Sequence, residues 1–75
     1  MKELVEVIAK ALVDRPEEVR VTEEEREDAI VLKLSVAEAD MGRVIGKGGK
    51  IAKSIRAVLR AASAHQSKHI LLDID

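Results

Sequence analysis

The stretch RVIGKGGKIAKSIR, residues 43–56, places Gly46, Gly48 and Gly49 around a single lysine, Lys47. Glycine here lets the chain turn sharply and leaves the main chain uncovered. An uncovered main chain can approach a phosphodiester closely. A helical pattern follows at once, so the free N–H groups and positive dipole end of that helix point at the same place. Lys47 at the tip and Lys50 in the first turn add full charges. Cations at a helix N-terminus oppose its dipole, and that placement makes sense if an anion is the intended neighbour. Taken alone, G-x-x-G is also a plain turn between two helices.

Two other phosphate-binding loops fail on spacing. The Walker pattern needs four residues between its first glycine and Gly-Lys-Ser/Thr. Here only three residues separate Gly42 from Gly46, and Gly48 follows the lysine, so no hydroxyl is supplied for magnesium. A dinucleotide loop needs G-x-G-x-x-G after a strand. Gly46-Lys47-Gly48 would begin one, but residue 51 is isoleucine and a helical pattern precedes the loop.

No other residues assemble into a reactive set. His65 and His69 have no cysteine or carboxylate nearby to complete a metal site, and their best use is at the edge of a binding groove. The acids cluster in TEEERED, residues 22–28, without a nucleophile or base, and Asp73 and Asp75 read as solvent-facing strand-end residues. The chain is not expected to be an enzyme, and no cofactor or metal is expected.

Charge divides the chain in two. Residues 1–42 carry six Lys/Arg against 12 Asp/Glu, whereas residues 43–75 carry seven against two. From Arg43 to Arg60 there are six cations and no anion. Such polarity points to a local anionic partner for the basic half. Cysteine is absent, which excludes disulfides and thiolate metal sites. No apolar run approaches a membrane span and the N-terminus lacks a signal-peptide core, so a cytoplasmic protein is expected.

The elements that must position the loop follow from periodicity. Leu4, Val5, Ile8 and Leu12 share a helical face in residues 2–13, and Pro16 ends that helix. Val19 and Val21 mark a short strand, with TEEERED as an acidic connection. Ile30, Leu32, Leu34 and Val36 alternate in a half-buried strand that completes a hairpin. Residues 37–45 read as a short helix with Glu38 and Asp40 in its first turn. A second helix runs from about Gly49 to Ala64 on a stripe of Ile51, Ile55, Val58/Leu59 and Ala62, with Lys50, Lys53, Arg56 and Arg60 on another face. Ile70, Leu72 and Ile74 mark a closing strand. The fold class is α+β, ordered α-β-β-α-α-β, with a three-stranded mixed sheet and three helices on one face. The last two strands are parallel, and residues 1–75 form one domain. The core holds no aromatic residue and is thin for so short a chain, which a second copy would help to cover.

VIGKGGKIAKSIR between two helices, inside this strand order, closely resembles the KH domain, a single-stranded RNA-binding module. The helix–strand preface is similar to the type II variety. The opening MKELVEVIAKALVDRPEEV and the size resemble the small stand-alone bacterial KhpA-type KH proteins, and the resemblance covers essentially the whole chain. It implies that Gly46, Lys47, Gly48 and Gly49 clamp the backbone of about four nucleotides. It also implies that Val44 and Ile45 match the family's apolar groove wall. Members are described as self-associating and as pairing with a larger KH-containing protein, so a homodimer or such a heterodimer is expected. The expected RNA-binding residues are Arg43, Ile45, Gly46, Lys47, Gly48, Gly49, Lys50, Lys53 and Arg56. Of these, Lys47 and Lys50 come first, and Arg43, Lys53 and Arg56 supply peripheral charge. Arg60 is expected to act only by long-range steering, and Ile70 and Leu72 are expected to form the opposite wall. A post-transcriptional regulator or RNA chaperone is the expected role. The alternative is a protein-interaction module with a KH shape, packing through Ala57, Ala61, Ala62 and Ala64.

Overall fold

The apolar run AIVL followed by the alternation of Leu32, Lys33 and Leu34 makes the central strand, β2 (Ala29–Ser35), whose Leu32 and Leu34 are fully buried. The computed structural model describes residues 1–75. Strand β1 (Arg20–Glu25) pairs antiparallel with β2, Val21 opposite Leu34. Strand β3 (His69–Ile74) pairs parallel with β2 on the other side, Leu32 opposite Leu72. The order is β1-β2-β3, the mixed sheet expected from a helical crossover between the last two strands.

Helices α1 (Lys2–Leu12), α2 (Met41–Ile45) and α3 (Lys50–Ala62) cover one face. Their Val5, Ala9, Val44, Ile55 and Leu59 share one core cluster with Val19, Val21, Leu32, Leu34 and Leu72. Val31 and Leu71 lie outside that cluster, on the other face of the sheet, and Leu71 is exposed. This is the arrangement that the resemblance implies.

Several boundaries depart from the sequence expectation. TEEERED is not a loop: β1 runs on through Glu25, and the turn is confined to residues 26–28. An edge strand with little cover beyond Val21 tolerates charge where a central strand would not. Two of the glutamates are also ion-paired, Glu24 in part across to β2. Glu24 meets Arg26 at 3.2 Å and Lys33 at 3.5 Å, and Glu25 meets Lys68 of the α3–β3 loop. The hydrogen bond from Arg26, with the charges of Arg26 and Lys33, holds the Glu24 carboxyl below its ordinary range. The hydrogen bond and charge of Lys68 do the same for Glu25. The first helix stops at Leu12, and Pro16 instead opens a short 3-10 turn, Pro16–Glu18. The expected helix over 37–45 is divided into a 3-10 turn, Glu38–Asp40, and α2. In α3 the buried stripe is Ala52, Ile55 and Leu59, while Val58 and Ala62 are exposed.

Asp40 explains the division. It does not face solvent at a helix start; it is 2% exposed. Its carboxylate accepts the main-chain N–H groups of Asp14 and Arg15 at 3.2 and 3.1 Å. It thereby fastens the segment leading into α2 to the chain leaving α1. Both donors lie about 25 residues away in sequence, so no local pattern announces them.

Candidate nucleic-acid interface

Helix α2 delivers the loop and α3 receives it. Gly46 N–H donates to Gly42 O at 2.8 Å, closing α2, and Gly49 N–H donates to Gly46 O at 3.1 Å, closing the turn. All three loop glycines have positive φ: 77° at Gly46, 66° at Gly48 and 80° at Gly49. They are not equivalent. A Cβ on Gly46 would lie 2.4 Å from Ile51 Cγ1 and 2.8 Å from Ile51 N, so α3 is laid directly against that main chain. At Gly48 and Gly49 a Cβ would meet nothing within 4 Å. The first glycine shapes the loop, and the last two present bare main chain to solvent.

No side chain caps the first turn of α3. Lys47, Lys50 and Lys53 are exposed and enter no ion pair. Lys47, Gly48, Gly49 and Lys50 therefore form one open, cationic feature, shaped by Gly46 beneath it. Such a surface suits phosphate: main-chain donors can approach closely, and the ammonium groups supply charge.

The remaining expected residues divide. Ile45 is 37% exposed beside the loop, an apolar surface for a base, but its neighbour Val44 is fully buried in the core and lines no groove. On a five-residue helix successive side chains point about 100° apart, so only one of the two can face out. Arg43 is already engaged. Its Nη2 lies 3.1 Å from Asp14 and its Nε 3.7 Å from Asp40, so this cation braces α2 against the α1 exit. Arg56 reaches across to β3, where Nε and Nη2 donate to Leu72 O at 3.4 and 3.2 Å. On β3, Ile70 is half-buried and Leu72 is a core residue, which leaves little of the latter as a wall.

A cleft of about 470 Å³ lies between the C-terminal half of α3 and β3. Arg56, Arg60, Gln66, Lys68 and His69 line it. Arg60 thus sits at a concavity. The signal available was the continuation of the Lys50–Arg56 spacing to Arg60, and Lys68 carried none. No cluster of His, Cys, Asp or Glu is built to hold a metal ion. No helix is long and apolar enough to cross a membrane.

Residues 2–74 match the family model described as KhpA/KhpB, KH domain. The chain is 54% identical over 74 residues to RNA-binding protein KhpA of Clostridium perfringens, covering 99% of both chains. It is 53% identical to that of Clostridium acetobutylicum, again over 99% of both. It is 45% identical to that of Aquifex aeolicus, covering 99% of this chain and 94% of the relative. No solved structure matches.

Proposed function

Because this chain belongs to the KhpA/KhpB family of KH-domain proteins, we propose that it binds single-stranded RNA and holds the backbone of about four nucleotides on its GKGG loop. It is a binding protein rather than an enzyme, as its relatives' names have it. One observation supports the loop assignment above all. The tip, Gly48 and Gly49, is sterically open and stands between three unpaired lysines and an uncapped helix start. Lys47 and Lys50 hold phosphates, Lys53 adds charge, and Ile45 offers an aliphatic surface to a base. Stacking on aromatic rings, worth about 1–3 kcal/mol per base elsewhere, has no counterpart in a chain without Phe, Trp or Tyr. One domain therefore binds weakly, and a dimer presenting two such surfaces gains by avidity. Regulation of transcripts or RNA chaperoning fits a weak grip of this kind.

A second reading draws on the exposed side of α3. Val58 is 46% exposed there, near the small residues Ala57 and Ala61. That patch suits close packing with a second copy or with a larger KH-containing partner. The two readings separate in one experiment. Val58→Glu is brought to the monomeric state, checked by light scattering, and titrated with RNA.

The loop itself is tested by the double variant Lys47→Asp, Gly48→Asp. Both positions are exposed, so the fold persists. With about four phosphates neutralised, the wild-type log–log salt slope is roughly −3, a loss of about 50-fold between about 50 and 200 mM salt. The double variant should lose salt-sensitive RNA binding. Unchanged binding at roughly physiological salt would remove the loop assignment.

A further inference from the structure

Lys47, Lys50 and Lys53 enter no ion pair, whereas Arg43 has two, and they are of opposite character. On one side Nε faces Asp40 at 3.7 Å, a side chain only 3% exposed and held by the Asp14 and Arg15 N–H groups. On the other side Nη2 faces Asp14 at 3.1 Å, a side chain 73% exposed. The first contact is fixed, because moving that carboxylate would strip two main-chain donors of their acceptor. The second is a solvent-screened pair of the weak kind, open to exchange. Asp40 also sets where Asp14 stands: Asp14 N–H donates to Asp40 Oδ1, the same oxygen that Arg43 Nε faces. Arg43 lies three residues before Gly46, about 4.5 Å along the helix axis. Val44 points into the core, so Gly42, two residues from it, faces outward, exposed and without a side chain. A strand seated on the loop can lie over that bare position with Arg43 at its flank.

Resting on the reading that this chain binds single-stranded RNA on its GKGG loop, we propose that Asp14 is an internal counter-ion of the RNA site, occupying the Arg43 guanidinium in place of an RNA phosphate and so holding affinity down. Carboxylate and phosphodiester present the same chemistry to a guanidinium: charged oxygens that accept from a planar fork. A phosphate reaches Arg43 only by displacing Asp14, and exchanging one anion for another gains little. The phosphates held by the wild-type protein therefore do not include one on Arg43. Removing the Asp14 charge leaves a guanidinium still oriented by Asp40 and free to take one phosphate more. The sign separates this role from a structural one. If the Arg43–Asp14 pair were only a brace for α2, its loss would leave RNA affinity unchanged or lower it; as a counter-ion, its loss raises affinity.

The test titrates decauridine by fluorescence anisotropy into wild type, Asp14→Asn, Arg43→Gln and the double variant, over about 50 to 200 mM salt. Asparagine keeps the size of the side chain and the main-chain N–H that Asp40 holds. Asp14→Asn should steepen the log–log salt slope by about 0.7, the increment for one more phosphate of a single strand, and bind about fivefold more tightly at about 0.1 M salt. In the Arg43→Gln background the same substitution should leave affinity and slope unchanged. Should Arg43→Gln fail to fold by circular dichroism, the Arg43 Nε–H signal in proton–nitrogen correlation spectra decides instead. It should move with added decauridine in Asp14→Asn and stay in place in wild type. Unchanged or lower affinity of Asp14→Asn, with salt-sensitive binding intact, overturns the proposal alone. So does a gain that survives Arg43→Gln, which would be an effect of net charge, or an Nε–H signal that behaves alike in both proteins. Absence of salt-sensitive binding in every protein removes the RNA reading and this proposal together.

Discussion

Replacing Gly46 by alanine should cost this domain far more than the same change at Gly48. Gly46 has φ 77° and ψ 170°, a region that side chains essentially do not enter, and forcing a residue there costs about 1–3 kcal/mol. The new Cβ would also stand 2.4 Å from Ile51 Cγ1, 2.8 Å from Ile51 N and 2.9 Å from Ile51 Cβ. One of those atoms is backbone, so the start of α3 must shift, an overpacking cost of about 1–3 kcal/mol. Restricting the unfolded chain returns only about 0.4–1 kcal/mol. The net loss is about 2–5 kcal/mol, a large part of what a domain of this size has to lose. At Gly48, φ is 66° with open space around it, leaving only the left-handed penalty of about 1–2 kcal/mol, partly offset in the unfolded state. Gly42 provides the opposite sign. It lies inside α2 with ordinary φ and nothing within 4 Å of a Cβ, so alanine there should stabilise by about 0.5–1 kcal/mol. Urea and thermal unfolding followed by circular dichroism would rank the proteins. Gly42→Ala should melt above wild type, Gly48→Ala slightly below, and Gly46→Ala at least about 10 °C below. A Gly46→Ala protein within about 1 kcal/mol of Gly48→Ala would show that the loop is not held by the approach of α3.

Asp40→Ala should destabilise by about 2–4 kcal/mol in urea, because two main-chain N–H groups lose their acceptor and Arg43 loses one of its two ion-pair partners. Asp40→Asn, which keeps one acceptor oxygen, should recover part of that, and a loss below about 1 kcal/mol for alanine would show that water replaces the carboxylate. The depressed Glu24 and Glu25 carboxyls contribute stability that is present above the ordinary value of 4.5 and lost as pH falls through their lower folded values. Glu24→Gln, Glu25→Gln should therefore flatten the acid limb of the stability profile at low salt. The difference from wild type should fade in roughly 1 M salt, where the Debye length is about 3 Å; parallel profiles at low salt would refute it.

Periodicity and glycine placement were sufficient for the element order, the mixed sheet and the GKGG loop. Leu32 and Leu34 alternate into the core because a strand's side chains alternate, and glycines about one lysine let the chain turn sharply between two helices. Those properties are local, carried by residues a few positions apart. Contacts between distant segments decided the rest. Which of Val44 and Ile45 faces out depends on how α2 rests on the sheet. Whether Arg43 is free for phosphate depends on Asp14, which the Asp40 carboxylate brings beside it. The acids of TEEERED could extend a strand because Lys33 and Lys68 arrive from other elements to meet them. Arg56 reads as one more cation of a helix face until β3 is laid alongside and offers it Leu72 O. Burial and partnership are set by packing across the chain, and sequence spacing alone does not encode them.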